Sequence, residues 1–400
     1  MSQLSLLNRS KKGLQMLYFD HAATTPARAT VLDTYNQVAQ KYFANPSSAH
    51  KLGQEANSLL NNARQQIADL LLFKSNEIFC TSSGTESNNW TLQSLLSAHA
   101  KLHPNRRQII LSAIEHPSIR SQIDHLKTRG FEVILAPVDH NGQLDLNSFE
   151  NLLSDQVLLV STMLVNNEVG SFLPVEPLAQ KLENYPQILW HVDAVQAITC
   201  RMKAMHHSRI DLLTLSSHKF HSVRGVGLLA IRQRVTKAPL LFGGGQEFGM
   251  RSSTENLPAI VATAKALRLA WENQAESIKH INHYRTQITQ ALKKMNWQVF
   301  GGSQEQVSPH IICAAFPGVP GEVLLQAFSN ADIMISTTSA CSSRKKNDHH
   351  TLKAMGIDNN LANSSIRISL SQTTSQAEVD QLIKPIHEIS TKFKQDLKGA

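Results

Sequence analysis

His191-Val192-Asp193-Ala194-Val195-Gln196 and, a little further on, Ser216-Ser217-His218-Lys219 are the two stretches whose reading decides the fold. Each comes after an apolar run, Ile188 to Trp190 and Leu212 to Leu215, with the length and composition of a buried strand. The pattern delivers a carboxylate, Asp193, and an amine, Lys219, at the ends of two strands. Pyridoxal phosphate chemistry needs that pairing. The acid keeps the ring nitrogen protonated, and the amine holds the aldehyde as a Schiff base. Either residue alone has an ordinary explanation: a strand-end Asp caps the next helix, and most lysines are solvated.

Outward from these two stretches, further short apolar runs read as strands: Ile78 to Cys80, Ile109 to Leu111, Val157 to Val160 and Gly227 to Ile231. Leu59, Leu60, Ala63, Ile67, Leu70 and Leu71 recur at helical spacing, which predicts an amphipathic helix over Gln54 to Leu72. Strands alternating with helices predict an α/β fold with a mostly parallel sheet. A long helix, Leu257 to Ala275, leads to a smaller α+β domain. That domain has strands at Ile311-Ile312, Asp332 to Ile335 and Ile366 to Leu370, and a helix at Glu322 to Phe328. Ser375-Gln376-Ala377-Glu378 matches a capping box that opens a last helix. The expected division is a basic extension over 1–17, a large cofactor-binding domain over 18–262, and a small domain over 263–400 that borrows part of the N-terminal segment.

Composition excludes several classes. Four hundred residues with 42% hydrophobic and 18% charged are ordinary for a globular chain large enough for two cores. No apolar run approaches the roughly 20 residues of a membrane span. The net charge of +8 comes with no interleaving of basic and aromatic residues, so nucleic acid is not an expected partner. Met1 to Gln15, with Arg9, Lys11 and Lys12, reads as a short solvated extension rather than a leader peptide. Cys80, Cys200, Cys313 and Cys341 form no CxxC pair and no metal-ligand spacing, consistent with a reduced, cytoplasmic protein without a metal of its own.

Polar residues gather where the strands end: Thr85, His116, Asn167, Asp193 and Lys219. Ligands of open α/β sheets bind beyond those carboxyl ends. Thr81 to Ser87, with Gly84 and Thr85 at its centre, joins a strand to a helix and so offers a phosphate cup of N–H groups and hydroxyls. His116 is placed to stack on a ring, and Gln196 to donate to a ring hydroxyl. Cys341 lies among small residues, Ser336 to Ser343, before Arg344, Lys345 and Lys346. Such cations favour thiolate, although an incidental loop cysteine has the same surroundings.

With these segments in view, the chain resembles the NifS/IscS-type cysteine desulfurases, class V aminotransferase-like enzymes of pyridoxal phosphate fold type I. The resemblance runs from about Tyr18 to about Ile389. It is carried by Asp20 to Pro26, Asn45 to Ser48, Thr85 to Ser87, Glu115-His116, Val165 to Gly170, His191 to Gln196, Ser216 to Lys219, Gly249 to Ser252, Ser339 to Cys341 and Ser364 to Arg367. It implies that Lys219 binds the cofactor and shuttles the Cα proton, that Asp193 pairs with the ring nitrogen, and that His116 stacks on the ring. Gln196 and Asn167 face the ring hydroxyl. Thr85, Ser216 and His218 hold the phosphate, joined by Thr254 from the second subunit of a homodimer. Arg367, with Asn45, grips the carboxylate of L-cysteine. Cys341 accepts the sulfur as persulfide and passes it to an acceptor or scaffold protein, where it meets an iron-sulfur cluster only in a partner's company.

Departures from the family pattern are Ser217 in place of glycine, His221-Ser222-Val223-Arg224 in place of a Tyr-Gly-Pro-Lys-like stretch, and Thr337-Thr338 before the cysteine. The chain also stops at Ala400, before the extended tail with which such enzymes dock a cluster scaffold, so docking by that tail is not expected. The residues leave two other readings open. One is a selenocysteine lyase or amino-transfer enzyme on the same scaffold. The other is a catalytically quiet binding protein.

Overall fold

A computed structural model of the chain describes residues 16–338 and 349–399. The two decisive stretches lie side by side in a seven-stranded sheet. Its strands run, edge to edge, Ile78–Thr81, Gly227–Ile231, Leu212–Ser216, Leu189–Asp193, Val157–Met163, Gln108–Ser112 and Glu132–Ala136. The last five are mutually parallel, and Gly227–Ile231 is antiparallel to both its neighbours. The sheet is therefore mostly parallel, as the alternation of strands and helices predicts. Glu132–Ala136, at the open edge, is a strand outside the set that the apolar runs predict.

The inner strands are buried along their whole length, which is why they read as unbroken apolar runs. Helices Ala29–Lys41, Lys51–Leu71 and Leu257–Glu272 pack together on one side, sharing a core with Trp190, Leu213 and Leu228. The predicted 54–72 helix thus begins one turn earlier, at Lys51, with the His50 ring accepting the Gly53 N–H as its cap.

A second core is built on a four-stranded antiparallel sheet in the order Ser336–Thr337, Ser365–Ser369, Ile311–Ala315, Gln298–Val299. Leu17 and Phe19 belong to this core, because Leu17–Tyr18 pairs with Ile333–Met334. The helix expected from Leu257 to Ala275 runs Leu257–Glu272, and after a break at Asn273 a second helix outside the expected set, Gln274–Lys294, follows it. The first packs on the large core and the second, through Ile281, Tyr284 and Ile288, on the small one. The capping box closes as the sequence predicts. Glu378 accepts the Ser375 N–H at 2.7 Å, the Ser375 hydroxyl accepts the Glu378 N–H at 3.3 Å, and the helix Gln376–Gly399 begins there.

Topology puts the chemistry at one edge. Ser216 pairs with Gly227, and Gly227 pairs with Thr81, so the carboxyl ends of two strands and the start of a third share one row. The turn between Ser216 and Gly227 carries Lys219. The loop after Thr81 enters the helix Gly84–Trp90. Gly227 is what lets these meet: a Cβ there would stand 2.3 Å from the Ser83 carbonyl carbon and 2.4 Å from the Thr81 hydroxyl.

Candidate active site

A cavity of about 220 Å³ opens at that edge. Its walls include Gly84, Thr85, His116, Asn167, Asp193, Gln196, Ser216, His218, Lys219 and Arg367, which come from six segments of the sequence. Three expected residues are not among them. Asn45 is exposed, and its side-chain oxygen accepts the Ser47 N–H at 2.9 Å. Thr254 lies on a neighbouring cavity with Ser82 and Arg251. Cys341 lies outside the described residues.

Asp193 ends its strand and is buried. One carboxylate oxygen accepts the Val195 N–H at 3.0 Å, and the other accepts from the Asn88 amide at 2.8 Å. The next segment is a turn rather than a helix, and Gln196 reaches the cavity from it. Asn88 also donates to the Ser118 hydroxyl at 2.8 Å, and that hydroxyl lies 2.8 Å from His116 Nδ1. Asn88 and Ser118 are site residues beyond those the strand ends predict. For Asn88 a signal exists: it lies one helical turn beyond Gly84 and Thr85, on the face those residues turn to the site.

Lys219 closes a single 3₁₀ turn, Ser217–Lys219, at the end of its strand. Its ammonium donates to the carbonyls of Ala22 and Ala23 at 2.7 and 2.8 Å. The Gln196 amide donates to the same Ala22 carbonyl at 2.8 Å. The Asp20 to Pro26 stretch is thus the floor on which Lys219 rests. Ser217, the residue found where glycine is usual, is fully buried. Its hydroxyl donates to the Val223 carbonyl at 2.5 Å and takes no part in the cavity wall.

Burial tunes the imidazoles. His116 has its pKa lowered by desolvation, opposed by Asp193 and reinforced by Lys219. His218 falls to about 4 through burial, then Lys219 and Arg224, and its Nδ1 lies 3.1 Å from the Thr24 hydroxyl. Both rings are neutral at physiological pH. Glu115, next to His116, is fully buried, and burial together with the Asp193 charge pushes its carboxyl well above the usual range.

Arg367 comes from the other sheet. One Nη donates to the Asn167 carbonyl at 2.8 Å, the other to Asp20 at 2.9 Å, and Nε is buried with no partner among the described residues. A guanidinium held from two sides, with a donor unspent, suits an anionic substrate group. The residues also fit pyridoxal phosphate as a donor set. Lys219 and Asp193 share one cavity, a helix start lies beside the hydroxyls of Thr85 and Ser216, and Asp193 is already fixed by two hydrogen bonds. No group of His, Cys, Asp and Glu able to hold a metal occurs among the described residues.

Comparison with known proteins gives this arrangement its family. The model of the aminotransferase class-V family matches residues 17–382. A NifS/IcsS protein homolog of Lactobacillus delbrueckii is 40% identical over 94% of this chain and 98% of its own length. A cysteine desulfurase of a Nostoc species is 35% identical over 95% and 94%. Among solved structures, a NifS-like protein superposes with a TM-score of 0.88 at 36% identity, covering 94% of this chain and all of its own. A NifS-like protein from Rickettsia africae gives 0.82 at 30% identity, covering 94% and 99%. A cavity that unites Lys219, Asp193 and Arg367, in a chain matched along almost its whole length, therefore belongs to a pyridoxal phosphate-dependent enzyme of the class-V aminotransferase family, among the NifS/IscS-type cysteine desulfurases.

Proposed function

We propose that this enzyme takes sulfur from L-cysteine, releases L-alanine, and carries the sulfur as a persulfide on Cys341 to an acceptor protein, for iron-sulfur cluster assembly or thiolation of tRNA or cofactors. The observation that carries the reading is the position of Arg367. It sits opposite Ser336 in the small sheet while its guanidinium walls the cavity with Lys219. The chain that leads to Cys341 leaves from Ser336–Thr337, and Cys341 is three positions beyond Thr338, at most about 11 Å of extended chain.

Pyridoxal phosphate, when bound, supplies an electron sink for the carbanion at the substrate Cα. Lys219 holds it, Asp193 pairs with its ring nitrogen, and His116 covers the ring. Asn167 and Gln196 face the ring hydroxyl, and Gly84, Thr85, Ser216 and His218 hold the phosphate. Arg367 fixes the cysteine carboxylate so that the Cα proton faces the Lys219 amine. That amine, once released, takes the proton. Neutral His116 is able to accept a proton without first losing one to solvent.

The other thiols are poor candidates for the sulfur acceptor. Cys80, Cys200 and Cys313 are all buried, and burial pushes them up, Cys200 to about 12. A thiol in that state is not a nucleophile at neutral pH. Cys341→Ala is expected to keep the cofactor's absorbance and lose at least about 10³-fold in alanine release, a loss on the scale of a missing nucleophile. Mass spectrometry after incubation with cysteine is expected to find +S on Cys341 of the parent. Full turnover in Cys341→Ala would overturn the assignment.

The same reading includes a homodimer. Phe242 is 87% exposed and Phe43 74%, and their segments adjoin, since the Gln246 amide reaches the Ser47 hydroxyl at 3.5 Å. Thr254 and Asn45 belong to these segments. A second copy seated there would bring Thr254 toward its phosphate cup and cover the aromatic residues. Asn45 joins Arg367 at the substrate carboxylate in this reading. We place the enzyme in the cytoplasm on its cysteine usage. No helix among the described residues is long and apolar enough to cross a membrane.

A further inference from the structure

Lys219 walls a second, smaller space of about 20 Å³, together with Gln196, His21, His221 and Ser371. A water molecule needs roughly 10–15 Å³ and two to four polar partners, so the space takes one water and little else. One wall shows an unmet need. His21 is only 8% exposed; its ring lies near the Tyr18 backbone, which raises its pKa a little, and its Nδ1 makes no well-formed hydrogen bond among the described residues. Burial, and next His221, lower its pKa to about 4, so the ring is neutral. A buried nitrogen of that kind is costly to leave bare.

The space also has a way out. Ser277 and Gln372 wall both it and an open cleft lined by Arg28, Glu276 and His280. The Ser277 hydroxyl donates to the Gln372 amide oxygen at 3.2 Å. This cleft shares no wall residue with the substrate cavity. Lys219 therefore touches two spaces, one for the reacting molecules and one that leads to solvent by polar side chains near the Asn273 break.

We propose that the smaller space holds one ordered water, hydrogen-bonded to His21 Nδ1, which exchanges protons between the Lys219 amine and solvent through the passage that Ser277 and Gln372 line. In the step, the ammonium loses one N–H and the water gains one O–H. The charge leaves as a second water, nearer the cleft, takes up a proton in turn. The return runs the same way backwards, and no other bond changes. The benefit is that Lys219 resets its proton while substrate fills the front cavity. The proposal rests on the reading of Lys219 as the base for the Cα proton.

Two measurements test it. A crystal structure of the holoenzyme is expected to show a water about 3 Å from His21 Nδ1; an empty space overturns the site. In the second, L-cysteine deuterated at Cα is turned over in ordinary water and the alanine is weighed for retained deuterium. Parent enzyme is expected to wash the label out, as is Ser277→Ala. Ser277→Phe, which plugs the outer end, is expected to retain several-fold more, and Gln372→Leu to do so if the first variant does not fold. Alanine formed by a plugged variant with parental loss of label overturns the proton route. Absence of alanine from the parent overturns the desulfurase reading instead, and the water, read without turnover, then decides the site.

Discussion

Glu115 shows how a single residue registers the field of the site. It is fully buried, and desolvation joined by the Asp193 charge raises its pKa well above that of a free carboxyl. The fold therefore takes up a proton that the unfolded chain releases above about pH 4.3. Between those two pKa values the folded state binds more protons, so this group costs stability as pH rises. Glu115→Gln, neutral at every pH, is expected to melt progressively higher than the parent as pH goes from 5 to 8. The gap widens by at most about 1.4 kcal/mol per pH unit, the limit for one proton. Thermal melts of both proteins across that range check it; a constant gap would mean that the carboxyl is ionised in the fold. Asp193 and Lys219 were legible because apolar runs deliver them to strand ends. Asn88 was legible only in its helical spacing from Gly84 and Thr85, and His21 was not, because what matters in it is a missing partner.

At the scale of elements, the strand ends meet only because one position has no side chain. The Cβ of alanine at position 227 would collide with the Ser83 backbone and the Thr81 hydroxyl. Ser83 caps the helix Gly84–Trp90, its hydroxyl accepting the Glu86 N–H at 3.1 Å, so the displaced group is the phosphate cup itself. Gly227→Ala is expected to cost about 1–3 kcal/mol of strain. If borne by the cup, that weakens cofactor binding about 5- to 150-fold. Titration of the apoenzyme with pyridoxal phosphate measures it, and parental affinity would show that the cup moves freely. The strands and the last helix were legible because their signals are local: apolar runs of the right length, and a Ser-x-x-Glu box. The break at Asn273 was not, since an unbroken helical pattern runs through it and only the change of packing partner separates the two helices. Edge strand Glu132–Ala136 is exposed at Glu132 and Leu135, half-buried at Val133 and Ile134 and buried only at Ala136, unlike the continuous burial of the inner strands.

The whole molecule has two properties that no element carries alone. One is assembly. Phe242→Asp places a charge at the most exposed aromatic residue of the face that also holds Thr254. It is expected to give monomers in sedimentation velocity and, by withdrawing Thr254 from the second copy, weaker cofactor retention; a dimer of parental strength would move the interface elsewhere. The other is sensitivity to acid, which depends on how many imidazoles the two cores bury uncharged. His191 is fully buried between the hydroxyls of Ser161 and Thr214, at 2.8 and 3.0 Å, and burial lowers its pKa to about 4. His21 is brought to about 4, and His310, also fully buried, to about 3. Above pH 6.5 these rings are neutral whether the chain is folded or not, and they contribute no pH dependence. Below it the unfolded chain takes up protons that the fold refuses, so stability falls until the folded pKa values near 4 are reached. These three alone set a slope of up to about 4 kcal/mol per pH unit, to which His218 adds, and against which the carboxyl of Glu115 runs in the opposite direction. The melting temperature is therefore expected to drop steeply from pH 6.5 toward pH 4, and above pH 6.5 to change only through Glu115, in the opposite direction. His191→Gln, which keeps a polar side chain between the two hydroxyls, is expected to lower stability at pH 7.5 and to flatten the drop. A variant with the parental slope would show that His191 is charged within the fold, and that the loss in acid arises from the carboxylates instead.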